Sequence, residues 1–178
     1  MKNFDDSIRI IRTESADFFA ADLFLECFGS AFPLPRDNCG LPIPTPPENW
    51  RQYVALYRWP DARIETVGFC NFIRYGDVYL EGGMCVKPGF YRRLPGAHWQ
   101  QCKSRGGIAQ LLMEQAATEL ADCVAWFGYC GDARALEVDK RVGYVETSRQ
   151  NLIVKWFRQV PAARQQELID SVAKIGPF

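Results

Sequence analysis

Two glycine pairs constrain this chain more than any other feature, and both lie in the stretch VYLEGGMCVKPGFYRRLPGAHWQQCKSRGGIAQLL, from Val78 to Leu112. Apolar and aromatic side chains at Val78, Leu80, Met84 and Val86 predict a strand over Val78 to Val86. The Gly82-Gly83 pair inside it marks a bulge or a close backbone approach. Further on, Ile108, Leu111, Leu112, Ala116 and Leu120 fall at helical spacing while Gln110, Glu114, Thr118 and Glu119 take the other side, which predicts an amphipathic helix. Gly106-Gly107 opens that helix. A bare helix N-terminus collects unpaired N–H groups and carries roughly half a positive charge from the macrodipole, so it suits an anion. Lys103 and Arg105 flank it. A strand with an opened backbone, followed by such a helix, offers a place for an extended ligand with a phosphate at one end.

The rest of the chain supplies a sheet around this stretch. Ser7 to Thr13 reads as a first strand, followed by a helix from Ala16 to Phe28 with Ser15 as N-cap and Gly29 as its end. That helix is apolar on nearly every side, so it needs more cover than a sheet gives. Ala31 to Asn49 carries six prolines and cannot be a regular helix or a central strand. It is either a connector wrapped over the helix or one wall of a pocket. Arg51 to Trp59 and Arg63 to Tyr75 read as strands about a Pro60-Asp61 turn, and Gly76-Asp77 leads into the strand described first, giving three antiparallel strands. Val124 to Cys130 is a near-continuous apolar run, as in a central strand buried on both faces. Asp132 is placed to cap a short helix to Val142. A hairpin of Tyr144 to Ser148 and Asn151 to Phe157 follows, and Pro161 starts a last helix to about Ile175. The fold class expected is α/β: one domain over 1–178, with a mixed, mostly antiparallel sheet of about seven strands in a core over 7–157, helices on both faces, and an extra C-terminal helix over 161–175.

Composition narrows the function. Lys plus Arg number 21 and Asp plus Glu also 21, so net charge favours neither nucleic acid nor an acidic membrane surface as partner. The longest apolar run, Ala16 to Phe28, is interrupted by Asp17, Asp22 and Glu26 and is too short to span a bilayer, and the first six residues have no signal-peptide character. A cytoplasmic location is expected. Seven cysteines without a C-x-x-C pair, several inside apolar segments, read as buried reduced thiols. With His98 the single histidine, no metal site is expected.

Val86-Lys87-Pro88 and Gly107-Ile108-Ala109 match the two ends of a signature that runs from a strand ending in V-x-P to a Q/R-x-x-G-x-G/A turn. In this the chain resembles the GNAT superfamily of acyl-CoA N-acyltransferases. Ser104 stands where that pattern has Gln or Arg. Asp132, Ala135, Gly143 and Tyr144 fall at the places of a second pattern, N-x-x-A followed by a Tyr and then G-F, with Asp139 at the position of the Tyr. The resemblance implies a GNAT-like fold and acetyl-CoA as co-substrate, without a metal. It implies that Met84, Cys85, Val86 and the turn of Lys103, Ser104, Arg105, Gly106, Gly107, Ile108 and Ala109 hold the coenzyme. It implies acetyl transfer to a small-molecule or protein amine and leaves a homodimer open. A catalytically idle module that binds acyl-CoA or a protein partner is the competing expectation. An acyltransferase acting on aminoacyl-tRNA is discouraged by the balanced charge.

Acyl transfer to an amine needs a base, a place for the oxyanion and a proton for the leaving thiolate. An alkylamine of pKa about 10.4 is almost wholly protonated at neutral pH, and a placed general base contributes roughly 10²–10⁴-fold. Glu81, the one carboxylate of its strand and neighbour of the glycine pair, is the first candidate, with His98 as a second. Backbone N–H groups near Met84 and Cys85 are candidates for the oxyanion. An aspartate at 139 is a poor acid unless buried, so Tyr129, at the end of the central strand, is the expected proton donor. Asp132 reads as a helix cap rather than a ligand contact. The segment Gly89 to Cys102 looks inserted between the V-x-P strand and the glycine turn, and is expected either as a lid over the coenzyme or as an excursion packed on the first helix.

Overall fold

The computed structural model describes residues 3–34, 39, 41 and 48–178. Seven strands form one sheet: β1 (Ile8–Thr13), β2 (Trp50–Arg58), β3 (Ile64–Tyr75), β4 (Val78–Val86), β5 (Ala125–Tyr129), β6 (Val145–Glu146) and β7 (Leu152–Trp156), in the order β1-β2-β3-β4-β5-β7-β6. All neighbours are antiparallel except β4 and β5, which run parallel. The change of direction at that one pair places the ends of both strands side by side at the same edge.

Helices cover both faces. On one, α5 (Ile108–Glu119) and α6 (Ala133–Arg141) pack with a short N-terminal turn, α1 (Phe4–Ser7), and with α3 (Phe90–Arg93) and α4 (Gly96–Ser104). The largest core lies here, built from Tyr57, Phe72, Phe90, Leu112, Met113 and Trp126, all fully buried. On the other face, α2 (Ala16–Phe28) covers Val54, Phe69 and Cys85, while α7 (Ala162–Ala173) covers Val78, Leu80, Phe127 and Val154. The expected sheet, its helices on both faces and the extra C-terminal helix are therefore present. Of the Ala31 to Asn49 stretch, residues 35–38, 40 and 42–47 lie outside the described residues, so its reading as cover or pocket wall falls there. Among the described residues the outer side of α2 is open, with Phe18 81 % exposed.

The segment expected as a lid is instead part of the core. Phe90 and Cys102 are fully buried, and His98, 3 % exposed, meets the Tyr57 hydroxyl at 2.5 Å through Nδ1. Arg93 reaches the Glu65 carboxylate on β3, which also takes the Trp59 indole N–H and lies 3.5 Å from Lys87. The segment packs on α1 and β2, across the sheet from α2. The apolar spacing of Phe90, Leu94, Trp99 and Cys102 carries two short helices that a proline-glycine turn had masked. Enclosed in this way, His98 is removed from candidacy as a base.

Candidate functional site

The pairing of β4 with β5 runs from Val78–Ala125 to Glu81–Gly128 and stops there. Beyond it the strands part. On β4 the register against β3 slips between Cys70 and Phe72, where three steps on β4, from Glu81 to Met84, face two on β3. The predicted bulge is thus present, with Gly83 at φ 124°, a conformation that a side chain makes costly. Lys87 donates its N–H to Val67 O at 2.9 Å. Alternation along an antiparallel pair then turns Cys85 toward β3, and turns the N–H of Met84 toward the open side facing β5. Of the two oxyanion candidates, Met84 has this orientation. The Cys85 side chain lies among the α2 contacts on the other face.

Glu81 projects on the α5–α6 face over Gly128, where a Cβ would come within 3.2 Å of its Oε2. Tyr144, the residue after Gly143 at the end of α6, donates its hydroxyl to that same oxygen at 3.2 Å. Asp139 on α6 is 3 % exposed, and its Oδ1 is buried without a hydrogen-bond partner. Burial, and then the charge of Asp139, pushes Glu81 up to about 8, with the Tyr144 hydroxyl acting in the opposite sense. Burial raises Asp139 as well. Two carboxyls coupled this closely titrate as a pair, so the higher value marks the loss of the pair's last proton. The sequence assigned Asp139 no role except as a departure from pattern. What exposes it is the second turn of α6, which aims it at the sheet.

Tyr129 sits across the sheet from this pair. Its neighbour Gly128 faces Glu81, so alternation sends the Tyr129 ring to the α7 side, where it lies 5.2 Å from the ring of Phe178. Asp132 is the predicted cap, accepting the N–H groups of Arg134 and Ala135 at 2.9 and 2.8 Å.

The glycine turn is differently furnished from the bare helix end that was expected. Gly106 and Gly107 donate their N–H groups to Lys103 O and Cys102 O at 3.0 Å each, closing the end of α4. Ile108 donates to the Tyr91 hydroxyl at 3.0 Å. Gln110 folds back so that its Oε1 occupies the place of a Cβ on Gly106. Ser104 bonds Gln101 O through its hydroxyl, and Arg105 pairs with Asp5 at 2.8 Å. Among the described residues, the N–H groups of Ala109 and Gln110 make no hydrogen bond and remain open at the turn.

No family model and no curated protein matches the sequence. Solved structures do match the fold. The ribosomal-protein-S18-alanine N-acetyltransferase from Escherichia coli is similar over 87% of this chain and 97% of its own, at 14% identity and a TM-score of 0.51. Nourseothricin acetyltransferase is similar over 85% of this chain and 99% of its own, at 14% identity and a TM-score of 0.50. A protein described as an acetyltransferase from Exiguobacterium sp. 255-15 is similar over 92% and 97% respectively, at 14% identity and a TM-score of 0.54. The chain has the GNAT fold.

Proposed function

We propose that this protein is an acyl-CoA-dependent N-acyltransferase that transfers an acetyl group from acetyl-CoA to an amine by direct attack. The observation that carries this is the seam: two parallel strands part immediately beyond Glu81 and Gly128, with a glycine bulge on one side and a carboxyl of raised pKa at the fork. A thioester lying in the seam meets the Met84 N–H as an oxyanion partner, and Glu81 as the base that takes the amine proton. The coenzyme then runs past Cys85 and Val86 toward the turn from Lys103 to Ala109. There the open N–H groups of Ala109 and Gln110 meet its pyrophosphate once Gln110 swings out.

The acceptor is an amine on a small molecule or a protein. No helix of the described residues is long and apolar enough to cross a membrane. A second reading, a module that no longer turns over, is favoured by one observation: the glycine turn is largely satisfied by its own chain. Isothermal calorimetry with acetyl-CoA, followed by a mass-spectrometric acetyl-transfer screen over a panel of amines, decides between them. Binding with transfer supports the enzyme. Binding without transfer supports the module, and an absence of binding sinks the enzyme and leaves the module a protein partner alone.

A further inference from the structure

We propose that Cys27 on α2 and Cys85 on β4 are a site of reversible oxidation, closing to a disulfide that ties the helix to the strand beside the seam and stops acyl transfer; its second half rests on the acyl-transfer reading above. Both thiols are free, and they meet on the α2 side of the sheet. The Cys85 side chain lies in the cluster that α2 buries with its own Ala20 and Leu23, and Cys27, in the last turn of the helix, packs against the same cluster. Each is within side-chain hydrogen-bonding reach of the other. Cys27 Sγ also donates to Val86 O at 3.5 Å, the carbonyl next along β4 from Cys85. Helix and strand therefore already touch through sulfur.

The two thiols differ in access, and this gives them different parts. Cys85 is 7 % exposed, while Cys27 is only partly buried. Cys27 is the thiol that meets an oxidant from solution. Burial raises it, but the hydrogen bond with Cys85 and the Lys87 ammonium act in the opposite sense, with Glu26, the partner of Lys87 at 2.7 Å, opposing them. Burial raises Cys85 as well, so it serves as the second, resolving thiol, already in place.

The oxidant is a hydroperoxide, hydrogen peroxide in the simplest case, and the step balances. Cys27 sulfur attacks one peroxide oxygen, the O–O bond breaks, and the departing oxygen takes the thiol proton and leaves as water. Cys27 then carries a sulfenic acid. Cys85 sulfur attacks the Cys27 sulfur, the S–S bond forms as the S–O bond breaks, and the hydroxyl leaves with the Cys85 proton as a second water. Two thiols have lost two electrons, and one peroxide has become two waters. Contact between the thiols makes the second step intramolecular, which favours it over further oxidation of Cys27. A dithiol reverses the change by thiol–disulfide exchange.

The consequence falls on the seam. An S–S bond is about 2.05 Å long, well inside the separation of two hydrogen-bonded thiols, so the end of α2 and β4 must draw together. Cys85 follows Met84, whose N–H looks into the seam, and the strand has a soft point at Gly83, φ 124°. A pull on Cys85 turns that N–H away from the thioester. A displacement of about 1 Å at a reacting group lowers a rate by about 10²-fold.

Non-reducing peptide mapping tests the link, and turnover tests its effect. Cys27 and Cys85 each lie in a tryptic peptide with no other cysteine, Thr13 to Arg36 and Tyr75 to Arg92, because Pro88 protects the bond after Lys87. After millimolar hydrogen peroxide and blocking of free thiols, the parent should yield these two peptides joined, two hydrogens lighter than their sum, and dithiothreitol should part them. With an acceptor from the amine screen, kcat should fall by about 10²-fold on oxidation and return with dithiothreitol, while Cys27→Ser should keep its kcat through the same peroxide. Absence of the joined peptides, or Cys27 joined to another cysteine, overturns the proposal. So does a joined parent with undiminished kcat, or a Cys27→Ser protein that loses activity as the parent does, which would place the damage elsewhere, as at Met84. A reduced parent that acetylates no amine overturns the acyl-transfer reading and the blockade with it, an outcome distinct from an active parent that forms the link and loses nothing.

Discussion

The seam between β4 and β5 and the turn ahead of α5 are both built on glycine pairs, yet they are finished differently. At the seam, polar groups are left short of partners: Asp139 Oδ1 on one face, and on the neighbouring strand Asn71 Oδ1, 6 % exposed beside Gly82. At the turn, the N–H groups of Gly106 and Gly107 are taken up by α4 carbonyls and that of Ile108 by the Tyr91 hydroxyl, while those of Ala109 and Gln110 stay open and Gln110 Oε1 is buried without a partner. A buried polar group without a partner costs about 1–3 kcal/mol, so the seam carries a cost for which folding alone gives no return. The turn carries one such group, Gln110 Oε1 against Gly106. The difference makes the turn a place where a ligand must displace what the protein already provides, the Tyr91 hydroxyl and the Gln110 side chain.

The largest effect should come from the turn's support rather than from the seam. Phe90 is fully buried between Tyr57, Trp59 and Tyr91, so Phe90→Ala should cost about 3–5 kcal/mol in denaturant unfolding. A loss under 1 kcal/mol would return α3 and α4 to the status of a loose excursion and weaken the contrast. Next, Glu81→Gln should lower kcat by about 10²-fold at neutral pH, and by less at high pH, where the acceptor deprotonates itself. Equal turnover at every pH would remove Glu81 from the mechanism and leave the seam's unpaired groups unexplained.

The same carboxyl gives a stability prediction with a definite sign. Its native pKa, about 8, lies above the ordinary 4.5, so between these values the native state holds a proton that the unfolded chain has already lost. Stability from this source therefore falls as pH rises through that window and is flat above it. Glu81→Gln removes the slope, and its melting temperature relative to the parent should be higher at pH 9 than at pH 5. A difference that does not change with pH would mean that Glu81 is ionised throughout.

How much of this was legible beforehand depended on whether a feature is written locally. The bulge at Gly82-Gly83, the Asp132 cap and the limits of α2 and β4 all follow from residues within a few positions of one another, and the structure has them. The partners of the glycine turn come from Tyr91, seventeen residues upstream of Ile108 in space-filling contact that no periodicity announces. The face taken by Tyr129 was readable by alternation from the apolar run of β5, but only after knowing that Gly128 looks toward Glu81. Asp139 was read as a missing tyrosine because local pattern shows which residue is present, while its burial is set by the helix packing on the sheet.

The smallest expected effect tests the turn most directly. Tyr91→Phe removes the one hydroxyl that caps the Ile108 N–H, and should cost the unliganded protein about 1 kcal/mol, the net value of a part-buried hydrogen bond. If the coenzyme's pyrophosphate binds at this turn, the freed N–H joins those of Ala109 and Gln110 in facing the anion, so the liganded variant recovers part of the loss. Bound ligand at 100 times its dissociation constant adds about 2.7 kcal/mol, and the rise in melting temperature on adding acetyl-CoA should therefore be clear in the parent and larger in Tyr91→Phe. Gly107→Glu supplies the opposite extreme, because a carboxylate at this φ 91° position meets the phosphate with like charge and should abolish the shift. Identical shifts in the parent and in both variants would place the coenzyme away from the turn and leave the seam as the single point of contact between the two glycine pairs and the chemistry.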